Sequence, residues 1–387
     1  MSKPTVYLDH AAATPIGDDV LQAMQPYFQE QFYNPSALYL AAKQVHRAVT
    51  AARESVARVL GARPNEVVFT AGGTEANNLA ISGVMQQFPN GNVVTTAIEH
   101  DSVLSPVRQY DYQIAAVTPK GVLDMASLRE RINDRTVLVS VMYVNNEVGT
   151  IQPITEVVKL VRTIRRERAT TGNAMPLYMH TDACQAANYL PLTQSRLGVD
   201  LMTLNGGKIY GPKQSGCLYV RTGVELHPQI LGGGQERGMR SGTENVPGIV
   251  GFAHALTKAA HLREAECRRL GELQAKLASN LLQQFPDVIV HSVQPMVPNF
   301  VHVRIPGTDN ERLIMELDER GIMAAAGSAC SASNDEPSHV LTAMGLTDEQ
   351  AQSSIRFTMG RLTTAEGVDN VLQALADINR SMYTGAS

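Results

Sequence analysis

Apolar runs rich in β-branched residues alternate with helical patterns along the first two-thirds of this chain. The runs occupy residues 67–70, 92–98, 137–144, 177–181, 200–204 and 216–220. Alternation of strands and helices predicts a mostly parallel sheet covered by helices on both faces. A long helix is expected before the first run, with Ser36 as its N-cap, Leu60 as its last residue and Gly61 as its C-cap.

A second long helical pattern follows Pro247 and continues to about Phe285. It exceeds the usual length of a helix in a globular protein, so we expect either a kinked helix or a helix that connects two lobes. The residues beyond it contain two further strand patterns, at 300–305 and 354–359. These patterns predict a smaller α+β lobe.

The whole pattern predicts an α/β fold with two domains. A large domain with a mostly parallel central sheet is expected at residues 16–250, and a smaller α+β domain at residues 1–15 and 251–387. A length of 387 residues suits this division, because typical domains contain roughly 100–200 residues.

The composition is that of a soluble globular protein, with 44% hydrophobic and 18% charged residues. The formal net charge of -4 gives no electrostatic signature of nucleic-acid or membrane binding. No apolar run approaches the roughly 20 residues that span a bilayer, and the N-terminus lacks the apolar region of a signal peptide. We therefore expect a cytoplasmic protein that binds neither nucleic acid nor membrane.

The four cysteines lie far apart and form no CxxC pair. They are Cys184, Cys217, Cys267 and Cys330. Such spacing indicates neither a zinc knuckle nor a disulfide framework, and no metal site is predicted.

Polar residues follow five of the predicted strands. They are the segment AGGTEANN at 71–78, Glu99 and His100, Asn145 to Glu147, Asp182 with Gln185, and Asn205 to Lys208. Ligands of open parallel sheets bind outside the carboxyl ends of the strands. We therefore expect these residues to meet at one edge of the sheet.

Several of these residues have a chemical use together. The glycine-rich turn 71–74 can present backbone N–H groups to an anion at a helix N-terminus, although such turns are usually structural. Asp182 follows a buried strand and needs a partner, either a protonated ring nitrogen or a salt bridge or helix cap. Lys208 can form a Schiff base if its pKa is lowered from about 10.4. His100 could stack on a flat ring and move protons, or be structural.

An amine, a carboxylate and an anion-binding turn are what pyridoxal 5'-phosphate requires. The segments that contain them resemble the cysteine desulfurases of the NifS/IscS type. These segments are YLDHAAATP, NPSALY, TAGGTEANNLAI, AIEHDSV, YVNNEVGTIQP, HTDACQA, GGKIYGPK, GGGQERGMRSGTEN, GSACSAS and SSIRFTMGRLT. They cover nearly the whole chain, in the family's order and spacing. The resemblance implies a fold type I pyridoxal-phosphate-dependent transferase with the aspartate-aminotransferase-like fold.

The resemblance also implies roles for individual residues toward the cofactor. Lys208 would hold it as a Schiff base, Asp182 would face the pyridine nitrogen, and Gln185 the ring hydroxyl. His100 would stack on the ring and serve in acid–base steps. The remaining cofactor-binding positions are Gly73, Thr74, Asn146, Asn205, Gly207 and Thr243. Thr243 would reach the phosphate of the partner subunit, which implies a homodimer.

Substrate binding and sulfur chemistry follow from the same resemblance. Asn34, Asn146 and Arg356 would hold the carboxylate of L-cysteine, for which the fork of a guanidinium is well suited. Cys330, in GSACSAS, would be the nucleophile that receives the sulfur as a persulfide while alanine leaves. A sulfur-acceptor or scaffold protein would then take the sulfur, for iron–sulfur cluster assembly or tRNA thiolation.

One part of the chain departs from the family. Ser-Gly-His-Lys usually precedes IYGPK, whereas this chain has Asn205, Gly206, Gly207 and Lys208. The family serine and histidine both contact the phosphate. The amide of Asn205 can still donate a hydrogen bond, but Gly207 offers only its backbone N–H. This departure predicts weaker cofactor retention, or compensation by another residue or a water.

Two other functions stay open at this point. One is a different pyridoxal-phosphate enzyme of this fold, such as a selenocysteine lyase or an aminotransferase. Cys330 would distinguish a cysteine desulfurase from a transaminase, because a transaminase does not need that thiol. The other is a non-catalytic scaffold for sulfur-acceptor or cluster-assembly proteins. Its only support is the departure at Asn205 and Gly207.

Overall fold

A computed structural model describes residues 5–327 and 337–384 of the protein, and Cys330 lies outside these ranges. The strands of the described residues are β1 (Val6–Tyr7), β2 (Val67–Thr70), β3 (Asn92–Thr96), β4 (Tyr112–Ala115), β5 (Thr136–Ser140), β6 (Tyr178–Asp182), β7 (Leu201–Asn205), β8 (Gly216–Val220), β9 (Ile289–Val290), β10 (Phe300–Arg304), β11 (Ile322–Met323) and β12 (Ser354–Thr358). The α-helices are α1 (Asp18–Met24), α2 (Pro26–Gln29), α3 (Leu40–Leu60), α4 (Gly73–Gln87), α5 (Asp101–Val107), α6 (Met125–Arg131), α7 (Ile154–Thr171), α8 (Gln194–Leu197), α9 (Val246–Gln284), α10 (Asn310–Asp318), α11 (His339–Ala343), α12 (Asp348–Gln352) and α13 (Ala365–Thr384).

Seven strands form the main sheet, in the spatial order β2-β8-β7-β6-β5-β3-β4. Only β8 runs antiparallel to its neighbours β2 and β7, while the other pairs are parallel. Since β8 is reversed relative to both neighbours, β2 points the same way as β7. Six strands therefore end at the same edge, which confirms the predicted, mostly parallel sheet.

The predicted strands differ from the observed ones in two ways. The strand β4 was missed, because this edge strand, YQIA, is only partly buried and gives a weak apolar signal. The runs at 92–98 and 137–144 extend beyond β3 and β5, because the chain remains buried after it leaves the sheet. Ile98 and Val144, for example, are almost completely inaccessible although neither belongs to a strand.

The helix α3 begins later than predicted. Ser36 is not its N-cap, because its N–H donates to Asn34 Oδ1 at 2.9 Å within a turn, and the helix starts at Leu40 after Tyr39. Its end was predicted correctly: Gly61 is the C-cap and has a φ of 58°, a left-handed conformation that glycine adopts without steric cost.

A single helix of 39 residues, α9, follows the main sheet, with Asn245 as its N-cap and Pro247 in its first turn. It packs against α1, α3 and α13. The predicted boundary at residue 250 lies inside this helix. The division into domains at 16–250 and at 1–15 with 251–387 stays a prediction.

Two small sheets are formed by the remaining strands. The strands β9, β10 and β12 form an antiparallel sheet, and β1 pairs in parallel with β11. One hydrophobic cluster joins these sheets to the main sheet and includes Val139 of β5, Phe252 of α9 and Phe300 of β10. A Cβ atom at Gly149, which has a φ of 78°, would lie only 2.6 Å from Phe300. Glycine therefore allows the turn after β5 to approach the small sheet.

No helix of the described residues combines the length and apolar character needed to cross a membrane.

Glu99 is a fully buried acid in the turn after β3. Its Oε1 accepts hydrogen bonds from Thr96 Oγ1 at 2.7 Å and from the Met142 N–H at 2.9 Å, so it ties the end of β3 to the chain that leaves β5. Burial raises the pKa of Glu99 to about 8. The carboxyl group is therefore mostly protonated at neutral pH.

Glu99→Gln tests this protonation state. The folded protein holds the proton more tightly than an unperturbed Glu with a pKa of 4.5, so the free energy of unfolding falls as the pH rises through the window from 4.5 to about 8. Gln does not ionise, so we expect the variant to lose roughly 4 kcal/mol less than the wild type between about pH 5 and about pH 9. Urea unfolding at both pH values measures this, with the exposed Glu30→Gln as a control. The same pH dependence in Glu99→Gln and the wild type would contradict the assignment.

Candidate active site

A cavity of about 270 Å³ opens where the parallel strands of the main sheet end. Predicted site residues form much of its lining: Gly73, Thr74, His100, Asn146, Asp182, Gln185, Asn205, Lys208 and Arg356. All but the last lie at or after the carboxyl ends of β2, β3, β5, β6 and β7, whereas Arg356 belongs to β12 of the small sheet. The structure thus brings together polar residues from five parallel strands, as predicted.

The glycine-rich turn between β2 and α4 forms one wall of the cavity. Gly72 has a φ of 110°, which a residue with a side chain rarely adopts. A Cβ atom at Gly73 would lie 2.8 Å from Cys184 Sγ, so the chain needs glycine there as well. Gly73 and Thr74 begin a helix of 15 residues, whose N-terminus directs unpaired N–H groups and a positive dipole end toward the cavity.

Asp182 ends β6 and is buried. Its Oδ2 accepts a hydrogen bond from Asn77 Nδ2 at 2.8 Å, and its Oδ1 accepts one from the Cys184 N–H at 2.9 Å. Among the described residues, no cationic side chain forms a salt bridge with it. Because neutral donors hold this buried carboxylate, its negative charge stays available to a cation in the cavity.

Lys208 lies in the 3-10 turn that follows β7. Its Nζ donates to the carbonyl oxygens of Ala11 at 2.9 Å and Ala12 at 2.6 Å, and within the described ranges it forms no salt bridge. Burial lowers the pKa of the Lys208 amine. A buried amine held by neutral carbonyls is easier to deprotonate, as a nucleophilic lysine requires.

His100 is connected to Asp182 through two polar residues. Its Nδ1 accepts a hydrogen bond from the Ser102 N–H at 3.0 Å, so in the neutral ring the proton sits on Nε2. Asn77 Nδ2 donates to Ser102 Oγ at 2.8 Å and also reaches Asp182. This network fixes the orientation of both site residues.

No role of Asn77 or Ser102 is predicted from the sequence. Asn77 is four residues after Gly73, one helical turn along α4 on the same face, and this spacing is the signal that could have identified it. Ser102 gave no such signal, because its contact depends on how α4 and α5 pack.

The guanidinium of Arg356 is almost fully buried at the cavity wall. Its Nη2 donates to Asp9 Oδ1 at 2.7 Å, and its Nη1 donates to the Asn146 carbonyl oxygen at 2.7 Å. Its Nε has no partner in the described part of the chain. The ion pair with Asp9 fixes the orientation of the Arg356 guanidinium and leaves some of its N–H groups available to a substrate carboxylate.

The N-terminal segment contributes more than the sequence analysis recognised. Asp9 holds Arg356, and the carbonyl oxygen of Ala11 accepts hydrogen bonds from both Lys208 Nζ and Gln185 Nε2. The segment YLDHAAATP was noted only for its resemblance. Backbone carbonyls leave no trace in side-chain patterns, so the contact with Lys208 could not be predicted.

Asn205 and Gly207 are joined by a hydrogen bond. The Gly207 N–H donates to Asn205 Oδ1 at 3.0 Å, so the one donor expected to remain at Gly207 is used inside the turn. The Gly207 carbonyl oxygen accepts from the Thr14 N–H at 3.0 Å. Gly207 lines a neighbouring cavity of about 510 Å³, together with Lys213.

Besides Gly207, three predicted site residues lie away from the main cavity or outside the described residues. Asn34 is exposed, and its Oδ1 accepts from the Ser36 N–H. Thr243 is also exposed, and neither of these residues lines the cavity. Cys330 lies outside the described ranges. The roles predicted for these three residues stay predictions.

Comparisons with known proteins agree with this geometry. The aminotransferase class-V family matches residues 6–371. The chain is 37% identical to a protein of Dictyoglomus turgidum named cysteine desulfurase IscS, over 99% of this chain and 96% of that protein. It is 40% identical to a protein of the same name from Methanosarcina thermophila, over 96% of this chain and 91% of that protein.

Solved structures with the same fold include a NifS-like protein, at a TM-score of 0.89 and 32% identity, covering 97% of this chain and 100% of that one. Another is the structure described as SspA in complex with cysteine, at a TM-score of 0.79 and 32% identity, covering 92% of this chain and 99% of that one. These matches confirm the fold type and the cofactor class that the sequence resemblance implied. The chain belongs to the aminotransferase class-V family of pyridoxal-phosphate enzymes.

Proposed function

We propose that this protein is a pyridoxal-phosphate-dependent cysteine desulfurase, which takes sulfur from L-cysteine, releases L-alanine and leaves a persulfide on Cys330. The observation that carries the proposal is that the buried Lys208 amine and the Asp182 carboxylate line one cavity at the N-terminus of α4. The names of the relatives support the choice of L-cysteine as substrate.

The polar groups of the cavity fit the cofactor. Gly73 and Thr74 would hold the phosphate at the helix N-terminus, and Asp182 would keep the pyridine nitrogen protonated. Gln185 would face the ring hydroxyl, and Lys208 would hold the aldehyde carbon. When bound, the cofactor supplies an electron sink for the carbon skeleton of the substrate.

Proton transfers are assigned to Lys208 and His100. The lowered pKa of Lys208 favours the free amine, which can take up a proton close to the substrate. His100 carries its neutral-state proton on Nε2, because Nδ1 is occupied by the Ser102 N–H. Its predicted stacking on the cofactor ring would put that proton within reach of the reacting atoms.

Substrate binding is assigned to Arg356, Asn146 and Asn34. Arg356 would bind the carboxylate of L-cysteine with the N–H groups not used by Asp9 and the Asn146 carbonyl. Because Asp9 and the Asn146 carbonyl already orient the guanidinium, little side-chain entropy is lost when the substrate binds. Asn34 reaches the site only if its segment packs against the cavity of this subunit or a partner.

The sulfur step joins the substrate to the Cys330 thiolate, with the bound cofactor supplying the electron sink. The thiolate attacks the substrate sulfur, an S–S bond forms, and the C–S bond breaks. The electron pair of the broken bond stays with the three-carbon product, which takes up a proton and leaves as alanine. The persulfide then passes its sulfur to an acceptor or scaffold protein, for which we propose iron–sulfur cluster assembly or tRNA thiolation in the cytoplasm.

We also propose a homodimer, in which Thr243 of each subunit completes the phosphate site of the other. Large apolar side chains near Asn34 and Thr243 are unusually exposed, among them Leu38 at 87% and Leu231 at 75%. Exposed apolar surface of this kind is typical of protein interfaces. A dimer would bury these side chains and bring Thr243 to a second cavity.

Cys330→Ala tests the proposed reaction. The variant should still bind L-cysteine and change the absorbance of the cofactor, because the residues that bind cofactor and substrate are intact. Production of alanine and sulfide should fall by at least roughly a hundredfold, because the nucleophile is missing. Cys267→Ala, at a half-buried thiol that does not line the cavity, serves as the control. Full activity of Cys330→Ala would instead support a lyase without a persulfide step, and a wild type without a cofactor absorbance band would support the scaffold.

Gly207→His tests the departure from the family. A Cβ atom at this position would make only ordinary contacts, 3.5 Å from Asn205 Oδ1 and 3.7 Å from Lys213 Cγ, so a side chain fits. An added donor to the phosphate should slow cofactor loss during dialysis by roughly tenfold, in line with a charged hydrogen bond. Gly207→Ala is the matched control, and equal loss from both variants would refute this expectation.

Light scattering of the purified protein tests the dimer. The wild type should have about twice the mass of a 41.9 kDa chain. Leu38→Asp should shift the protein toward monomers and speed cofactor loss, because a buried charge destabilises the interface and removes the partner's Thr243. Met315→Asp, at an exposed site on α10, should do neither. A monomeric wild type that retains its cofactor would contradict the proposal.

A further inference from the structure

The turn that leaves β5 contains a rigid group of polar residues whose function has not been assigned. Asn145 is fully buried, and its Oδ1 accepts hydrogen bonds from the N–H groups of Glu147 and Val148, each at 2.9 Å. Its Nδ2 donates to the Ile98 carbonyl oxygen at 3.0 Å. Asn145 therefore fixes the backbone at Glu147 and ties it to the turn after β3.

The carboxylate of Glu147 is fully buried and lies close to Gly327 and Ser338, one on each side of the segment 328–336. Ser338 Oγ donates to Glu147 Oε2 at 2.5 Å. On the other side, a Cβ atom at Gly327 would lie 3.3 Å from the same oxygen, so the Gly327 backbone packs against the carboxylate. Glu147 Oε1 has no partner among residues 5–327 and 337–384.

Further contacts fasten the chain after Ser338. Ser338 Oγ also accepts a hydrogen bond from the Leu341 N–H at 3.2 Å, which caps α11. His339 Nε2 donates to the Glu99 carbonyl oxygen at 2.9 Å. Leu341 packs in a small hydrophobic cluster with Ile98, which lies just before Glu99.

The turns that hold Gly327 and Ser338 are the same turns that carry site residues. Asn146, which precedes Glu147, lines the cavity, and its carbonyl oxygen accepts from Arg356 Nη1. His100 directly follows Glu99. The flanks of the segment 328–336 are thus fixed relative to the substrate-binding and acid–base residues of the site.

We propose that Glu147 is a positioning residue for sulfur transfer: its carboxylate packs beside Gly327 and binds Ser338, which helps Cys330 to meet the sulfur of the bound substrate. The proposal rests on the proposed function, in which Cys330 is the nucleophile. Fixing both flanks of a segment restricts the positions that its residues can occupy, which raises the effective concentration of a reacting group. The contact should therefore affect the transfer step and not the binding of L-cysteine.

Substitutions at Ser338 separate this contact from the capping of α11. Ser338→Ala loses both the cap and the donor to Glu147. Ser338→Thr keeps both. Ser338→Asp keeps the cap, because Asp is a good N-cap, but places a second carboxylate against Glu147. Thr347→Ala is the matched control, since Thr347 caps the next helix, α12, through the Gln350 N–H and is not in contact with Glu147.

The holoenzyme variants are mixed with one equivalent of L-cysteine, and persulfide formation on Cys330 is followed by mass spectrometry of quenched samples. The cofactor absorbance change reports L-cysteine binding in parallel. We expect Ser338→Ala to slow persulfide formation by roughly tenfold and Ser338→Asp to slow it further, as for the loss of a hydrogen bond to a charged group. Ser338→Thr and Thr347→Ala should match the wild type, and half-saturation by L-cysteine should stay within about twofold in all variants.

Hydrogen exchange of α11 without L-cysteine gives a second readout that does not depend on activity. The amides capped by residue 338 should exchange faster in Ser338→Ala but stay protected in Ser338→Asp. Slow transfer together with a protected helix in Ser338→Asp would support positioning by Glu147. Persulfide formation at the wild-type rate in Ser338→Asp, or equal slowing by Thr347→Ala, would overturn the proposal. A wild type that forms no Cys330 persulfide would instead refute the proposed function on which it rests.

Discussion

The common direction of six strands in the main sheet determines where the chemistry of this protein takes place. Five of these strands, β2, β3, β5, β6 and β7, are almost entirely buried, and their backbone groups are satisfied by neighbouring strands. Buried polar side chains also occur inside these strands, but the site residues that they contribute lie where a strand ends and the chain turns back. Because β8 is the one reversed strand of this sheet, the ends of β2, β3, β5, β6 and β7 face one cavity, with Asp182 at the end of β6 and Lys208 just after the adjacent strand β7.

Much of this arrangement could be predicted from the sequence, because strand ends are visible as polar residues after apolar runs. That rule predicts Asp182, Lys208 and the turn at Gly73 without any family resemblance. The rule says nothing about residues that arrive from elsewhere in the fold. Arg356 on β12 was assigned only by resemblance, and the carbonyl oxygens of Ala11 and Ala12 have no signature in the sequence at all.

The turn at Asn205 and Gly207 shows a different limit of prediction from the sequence. The sequence identified the departure from the family, but it could not show that the remaining Gly207 N–H bonds to Asn205 Oδ1. Likewise, Asn145 and Glu147 were recognised as polar residues after a strand, and their use became clear only from the contacts around them. Both are buried behind the cavity wall, where they orient other residues instead of touching a ligand. A residue that acts through its neighbours can be assigned only when those neighbours are known.

The contact of Lys208 with Ala11 and Ala12 has a consequence for how the protein is made. The first strand, β1, pairs with β11, and Asp9 pairs with Arg356, so the N-terminal segment has its partners in the last third of the chain. During synthesis the N-terminal segment can therefore form these contacts only after Arg356 has left the ribosome. The main sheet can form earlier, but the lysine is fully enclosed only when both ends of the chain have met. The complete active site is thus a property of the finished polypeptide, because a chain truncated before β11 would lose the strand pairing that brings Ala11 and Ala12 to the Lys208 amine.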